Sequence, residues 1–372
     1  MKYIHIAGTN GKGSVAEYIY RILMAAGKRT GCFTSPHLVS PTERMRVDER
    51  RIGEAELAVL LEKVAKKKLA VNDTLFAAYT AAVLLWFERQ GADFAVIETG
   101  IGGRNDSTNV ITPNVCVLTP IDYDHMALLG DTLTQIAHDK SGIIKPGVPV
   151  ISAVQQAEAM TVIDAESRRM GASLTVAPSV RIREASAQGQ RFEMNGQDYF
   201  IRTIGRHQPQ NAALAILAAQ TLGIGENAIQ EGLKNTVLRC RTQLVPGEPD
   251  ILLDGAHNAA SVSALCDVLG DYFADREKVL LFTCMQDKDF SPMISELAPF
   301  FSQAFITSVS LERGADPNAL SVLFNQHMQS RVQPDPMRAF EEAKAVARQK
   351  GALLVICGSF YLAGLIEPLT VS

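Results

Sequence analysis

Near the start of the chain, three glycines, a lysine and a serine fall within seven residues: Gly8-Thr9-Asn10-Gly11-Lys12-Gly13-Ser14. An apolar run, YIHIA at 3–7, precedes them, and a helical pattern over 14–26 follows. A glycine-rich turn between strand and helix lets backbone N–H groups approach phosphate oxygens, and the helix N-terminus favours negative charge. Ordinary phosphate loops place the lysine directly before the hydroxyl residue, whereas here Gly13 intervenes. The physical logic is unchanged. Lys12 would counter the β- and γ-phosphates, and the Ser14 hydroxyl would reach a phosphate or Mg²⁺.

A second set of polar residues follows other apolar runs. FAVIE ends at Glu98 and leads into TGIGGRNDSTN, while VCVLTP leads into IDYDHM and His125. Ser35 follows RTGCF. All three fall just past the carboxyl ends of expected parallel strands, the edge where open α/β sheets hold ligands. A hydroxyl, a carboxylate and an imidazole converging there could hold Mg²⁺, although that ion prefers oxygen. Taken alone, His125 reads equally as a helix-start or core histidine, and Glu98 as a helix cap or a partner of Arg104. Lys140, in IAHDKSGIIKPG, reads locally as a solvated lysine at a helix end.

These residues need a scaffold, and the hydrophobic pattern supplies one. Short apolar runs at 3–7, 30–33, 94–98, 115–119 and 148–152 alternate with helical stretches at 14–26, 54–64 and 75–90. Strands apolar on both faces and separated by helices predict a parallel sheet covered on both sides. Residues 180–203 instead alternate polar and apolar, with turn signals at Gln188-Gly189 and Asn195-Gly196. That predicts an antiparallel meander. A helix is expected over 210–222, stopped by Gly223. A second α/β series begins near 250, and the turn-rich stretch 241–249 reads as a linker.

The chain has 372 residues, 47% hydrophobic and 20% charged, with 36 Lys+Arg against 40 Asp+Glu. At roughly 150 residues per domain this suggests two or three domains. The charge balance gives no global reason to bind nucleic acid or an anionic membrane. None of the six cysteines forms a CxxC pair, and several lie in apolar runs, as expected of buried reduced thiols. No signal-type segment and no run of about 18 apolar residues is present, so a soluble cytoplasmic protein is expected.

Together these stretches resemble the folylpolyglutamate synthase/dihydrofolate synthase family of the Mur ligase superfamily. The similarity rests on AGTNGKGS (7–14), TSPHL (34–38), ERMRV (43–47), ETGIGGRNDSTN (98–109) and DHMALLGDTLTQIAHDKSGIIKPG (124–147). It continues through GRHQPQNAALAI (205–216), LDGAHN (253–258), DKD (287–289) and GSFYLAG (358–364). The resemblance implies a P-loop central ATPase domain over 1–240, with a mostly parallel sheet and a small antiparallel element. A smaller Rossmann-like α/β domain over 241–372 is implied to follow.

Site roles follow from the same resemblance. Gly8, Thr9, Asn10, Gly11, Lys12, Gly13 and Ser14 are implied to form the ATP phosphate loop. Asn211, Arg241, Asp254 and His257 are implied nucleotide contacts. Ser14, Ser35, Glu98 and His125 are implied Mg²⁺ ligands. Lys140 matches a lysine that the family carbamylates, which supports a second Mg²⁺ and makes Lys12, His125 and Lys140 the catalytic set. Phe76, Asn105, Asp106 and Ser107 match the pterin or folate side. The implied reaction is ATP-driven amide formation through an acyl phosphate, joining L-glutamate to a folate-type carboxylate in a monomeric enzyme, within a cleft between two domains that closes against water.

Two departures bear on the acceptor. The family carries a further segment before the phosphate-loop strand, whereas here only Met1 and Lys2 precede it. The family also has an acid after the phenylalanine at 76, where this chain has Ala77. A Mur-type ligase acting on another carboxylate and an inactive nucleotide-binding relative are the competing readings.

Overall fold

The computed structural model describes residues 1–286, 288–309 and 314–370. Asp287 of the DKD stretch lies outside them. The chain divides into two units: residues 1–184, 190–202 and 208–236, and residues 185–189, 203–207 and 237–372.

The first unit is built on an eight-stranded sheet. Its strands are β1 (Lys2–Ala7), β2 (Thr30–Phe33), β3 (Met45–Val47), β4 (Arg50–Arg51), β5 (Phe94–Glu98), β6 (Val115–Leu118), β7 (Val150–Ser152) and β8 (Leu174–Val176), in spatial order β4-β3-β2-β5-β1-β6-β7-β8. From β2 to β8 every pairing is parallel. Strands β2, β5 and β6 are buried along their whole length, as strands covered on both faces must be.

Helices α1 (Lys12–Ala25), α2 (Glu54–Lys67), α3 (Leu75–Arg89), α4 (Met126–Leu129), α5 (Leu133–Lys140) and α6 (Ala157–Arg169) connect these strands. Two apolar clusters result. Trp86, Phe87, Leu60 and Val64 pack with Phe33, Ala95 and Ile97. Ile136, Ile143 and Ile163 pack with Cys116, Leu118 and Val150. Helix α3 starts where Thr74 Oγ1 accepts the Ala77 N–H at 3.2 Å, and α5 starts at a Thr132–Gln135 capping box.

The β3–β4 hairpin and β8 were not legible. MRVDERR is too charged to read as a strand, yet it forms the sheet's antiparallel edge, where charged side chains are tolerated. The run expected at 148–152 begins at Val150, because Pro149 has no N–H to give the ladder.

The expected meander is present as β9 (Arg181–Ser186), β10 (Gly189–Met194) and β11 (Gln197–Ile201), in order β11-β10-β9. Asn195 and Gly196 both take positive φ, 51° and 80°, as a two-residue hairpin turn requires. Helices α7 (His207–Thr221) and α8 (Glu226–Lys234) follow.

The second unit carries a six-stranded sheet in the order β12-β13-β17-β14-β15-β16. These strands are β12 (Gln243–Val245), β13 (Ile251–Leu253), β14 (Lys278–Phe282), β15 (Gln303–Ile306), β16 (Ser330–Val332) and β17 (Leu353–Cys357). All pair in parallel except β12. Helices α9 (Ala259–Phe273), α10 (Phe290–Leu297), α11 (Pro317–Phe324), α12 (Pro336–Lys350) and α13 (Phe360–Ile366) surround it. The linker expected at 241–249 is corrected here. Gln243–Val245 forms an antiparallel edge strand on β13, an identity that only the partner strand reveals. All six cysteines are buried. Among the described residues no helix is long and apolar enough to cross a membrane.

Candidate active site

Four adjacent parallel strands, β2-β5-β1-β6, end at one edge of the first sheet. Their exits carry Ser35, Glu98, the phosphate-loop stretch and His125. The expected site residues of the first unit therefore gather on neighbouring loops.

Helix α1 begins at Lys12 with Gly11 as its N-cap. Gly11 has φ 87° and supplies no side-chain cap, and no acid sits in the first turn. Uncapped N–H groups without a competing carboxylate make an anion site. A Cβ on Gly11 would lie 2.5 Å from Asn211 Oδ1, so Asn211 closes against the loop. Ser14 is 2% exposed, in the first turn. Thr9 and Asn10 behave differently from expectation. Their N–H groups point to Pro120 O (2.9 and 3.4 Å), and Thr9 Oγ1 bonds the Asp122 backbone at 3.0 Å. These two residues tie the loop to the exit of β6.

Two ammonium groups share one carbonyl. Lys12 Nζ donates to Gly8 O and Thr9 O, both at 3.1 Å, and Lys140 Nζ donates to Gly8 O at 2.8 Å. Lys140 is 3% exposed, so the solvated reading of this lysine is wrong. Burial, with the Lys12 charge beside it, pushes its pKa down to about 7. Two cations this close favour an anion between them and a neutral amine on the more buried one.

Glu98 is 2% exposed, and its Oε2 accepts the Ser35 N–H at 2.9 Å. Arg104, the alternative partner considered for Glu98, instead pairs with Glu166 at 3.0 Å. His125 takes a left-handed φ of 51°, caps α4 and turns toward Asp124, its Nε2 3.7 Å from Asp124 Oδ2. Its side chain is 36% exposed. Among the described residues no group of three or more His, Cys, Asp and Glu side chains converges to hold a metal. The expected triad is thus a direct Ser35–Glu98 pair with His125 on a separate loop. A buried carboxylate held at the Ser35 backbone is an oxygen donor of the kind that fits Mg²⁺.

Phe76 stacks on Phe33, with centroids 5.6 Å apart, and lies against Gly100, where a Cβ would meet it at 2.7 Å. An aromatic face therefore borders the Glu98 exit. Ala77, where the family resemblance implies an acid, is 1% exposed and sits in the core. Asn105 is exposed and Ser107 is buried. Asp106, expected at the substrate, spends its carboxylate internally. It accepts Gly100 N, Ile101 N, Thr108 N and Thr108 Oγ1 at 2.5–3.1 Å and so folds the loop after Glu98.

In the second unit, Arg241 lies over the Phe360 ring at 4.8 Å, and the His257 ring lies 5.5 Å from it. Asp254 accepts Thr242 N and Ala256 N, both at 2.6 Å, which makes it a tie between two loops. Burial raises its pKa to about 6 against those bonds.

The buried pair Glu17–Arg46, at 2.5 Å, escaped the sequence reading. It joins α1 to β3, and Arg21, one turn on along α1, holds the same carboxylate at 2.9 Å.

Residues 6–219 match the Mur ligase middle domain, and residues 240–360 match the Mur ligase glutamate ligase domain. The chain is 35% identical to the dihydrofolate synthase/folylpolyglutamate synthase of Bacillus subtilis, over 97% of this chain and 88% of that one. It is 33% identical to the folylpolyglutamate synthase of Lacticaseibacillus casei, over 98% and 89%. Among solved structures, Mycobacterium tuberculosis folylpolyglutamate synthase complexed with ADP and AMPPCP superposes with a TM-score of 0.92 at 29% identity, covering 100% of this chain and 91% of that one. E. coli FolC in complex with DHPP and ADP gives 0.89 at 26% identity, covering 99% and 88%.

Proposed function

The chain belongs to the Mur ligase family, in its folylpolyglutamate synthase/dihydrofolate synthase branch, and on that premise we propose how its own residues join L-glutamate to a folate-type carboxylate at the expense of ATP. The observation that carries this reading is the uncapped start of α1 beside Lys12 and Lys140, one strand away from the buried Glu98.

The triphosphate binds at the N–H groups from Gly11 onward, with Lys12 swinging from the loop carbonyls to the γ-phosphate. Thr9, Asn10 and Gly8 hold the loop's shape, and Asn211 fixes its outer wall. Ser14, Ser35, Glu98 and His125 are the proposed Mg²⁺ ligands. When bound, that ion screens the triphosphate from the incoming carboxylate. The acceptor carboxylate attacks the γ-phosphorus, the bond to the β-phosphate oxygen breaks, and ADP leaves. The amine of glutamate then attacks the acyl carbon, loses a proton and expels phosphate. Both encounters are between groups of like charge or between a nucleophile and an anion, so fixed cations and N–H dipoles lower the barrier.

Lys140 is proposed to react through its neutral amine with CO₂. A nitrogen–carbon bond forms, one proton leaves the nitrogen, and the neutral amine becomes an anionic carbamate able to support a second Mg²⁺. A buried amine of lowered pKa suits that step. Phe76, Asn105 and Ser107 are assigned to the acceptor side, with Asp106 shaping their loop. Arg241 and His257 are assigned to nucleotide contact, with Asp254 shaping theirs.

The test is a substrate-omission panel with ADP release as readout, run with dihydropteroate and with a reduced folate as acceptors. Steady ADP release that needs both an acceptor and L-glutamate is expected. Release unaffected by omitting either one rejects the assignment. The acceptor that supports turnover separates dihydrofolate synthesis from tail extension.

A further inference from the structure

The loop leaving Glu98 does more than carry the metal-site carboxylate. Arg104, six residues on, grips the backbone that bears Lys140. Arg104 N donates to Asp139 O at 2.8 Å, and its Nη2 donates to His138 O at 3.2 Å. The neighbouring Gly103 N donates to Asp139 Oδ1 at 2.8 Å. Asn109 Nδ2 bridges Arg104 O and Gly142 O at 3.0 and 3.1 Å.

The two segments also approach too closely for side chains. A Cβ on Gly103 would lie 2.6 Å from Lys140 O, and one on Gly142 would lie 2.4 Å from Arg104 Cβ. From the far side, Glu166 on α6 anchors the arginine, with Oε1 3.0 Å from Arg104 Nη2. The Glu166 side chain is 8% exposed. Arg169 also bonds this carboxylate, at 2.8 Å.

We infer that Arg104, anchored by Glu166, is a positioning residue of the ligase reaction that acts through Lys140 by fixing residues 138–142 against the Glu98 loop. The inference rests on the catalytic role proposed for Lys140. Nothing places Arg104 on substrate. Its backbone N–H ends on Asp139 O, and its Nη2 on His138 O and Glu166, while its buried Nε meets no hydrogen-bond partner. The physical requirement is distance: Lys140 Nζ must stay at Gly8 O, and an error of about 1 Å in such a group can cost on the order of 100-fold in rate.

Arg104→Ala, Arg104→Lys, Glu166→Gln, Lys140→Ala and the Arg104→Ala/Lys140→Ala double variant test this by steady-state kinetics with ATP, L-glutamate and the working acceptor. Arg104→Ala is expected to lower kcat roughly 100-fold with KM for ATP little changed. Arg104→Lys, which keeps one donor, recovers part of the loss, and Glu166→Gln gives a smaller loss of the same kind. In the Lys140→Ala background, Arg104→Ala is expected to cost nothing further, because both act through one group. Wild-type kcat in Arg104→Ala, or losses that multiply in the double variant, overturn the proposal while Lys140 keeps its role. Wild-type kcat in Lys140→Ala overturns the underlying reading, and this proposal with it. If Arg104→Ala does not fold, Glu166→Gln carries the same cycle against Lys140→Ala.

Discussion

At the scale of single residues, the site is a set of charges whose burial decides their chemistry. Lys140 is the clearest case. A helix-end lysine in a polar stretch looks solvated in sequence, and only the fold puts its ammonium on Gly8 O beside Lys12. Lys140→Ala is expected to lower turnover by at least 100-fold, with partial recovery by short carboxylic acids that occupy the vacated anion position; initial rates of ADP release with and without acetate check this, and an undiminished rate contradicts it. Gly11 makes a separate prediction. Its φ of 87° and its 2.5 Å approach to Asn211 leave no room for a Cβ. Gly11→Ala adds about 1–2 kcal/mol of backbone strain to the folded chain and displaces Asn211 from the loop, and that displacement should weaken ATP binding by about tenfold, or about 1.4 kcal/mol. Calorimetric titration with a non-hydrolysable ATP analogue reads the effect directly. Asp106 and Asp254 teach the opposite lesson. Both match substrate or nucleotide positions by resemblance, yet their oxygens accept backbone N–H groups of their own loops. A carboxylate within a motif can serve by folding the motif.

At the scale of elements, β1 is central to the candidate site, because it lies between β5 and β6 and feeds the glycine-rich stretch at 8–14. At its centre His5 is fully buried, with Nε2 2.8 Å from Thr108 Oγ1. Burial, with Lys145 nearby, pushes its pKa down to about 3, so the folded histidine stays neutral. An unfolded histidine takes up its proton near pH 6.5. Between these values the unfolded state binds the extra proton, and stability falls as pH falls through that window. The expected loss is on the order of 4 kcal/mol between pH 7 and pH 3, and His5→Gln should flatten this part of the profile. Denaturant unfolding across that pH range decides it, and an unchanged profile in the variant contradicts the account. Elements also mark the limit of sequence reading. Strands β2, β5 and β6 were legible because burial on both faces forces apolar runs. The β3–β4 hairpin and β12 were not, because edge strands owe their existence to a partner and can be charged or turn-like.

At the scale of the whole molecule, two α/β units carry the two Mur ligase domains, and their order along the chain could be read from motif order alone. The gathering of residues 8–14, Glu98 and Ser35 at one sheet edge was legible because glycine spacing and strand ends are local signals. The pairing of Arg104 with Glu166, and its hold on residues 138–142, was not, because it joins positions 62 residues apart whose spacing encodes nothing. The central claim is that ATP activates the acceptor carboxylate by phosphorylating it before glutamate displaces the phosphate. The most direct measurement uses an acceptor labelled with ¹⁸O in the reacting carboxylate, with mass analysis of the released phosphate. One ¹⁸O transferred to each phosphate, together with a product extended by one glutamyl residue, is the predicted result. Unlabelled phosphate accompanying that product would contradict it, since the carboxylate oxygen would then never have met the γ-phosphorus.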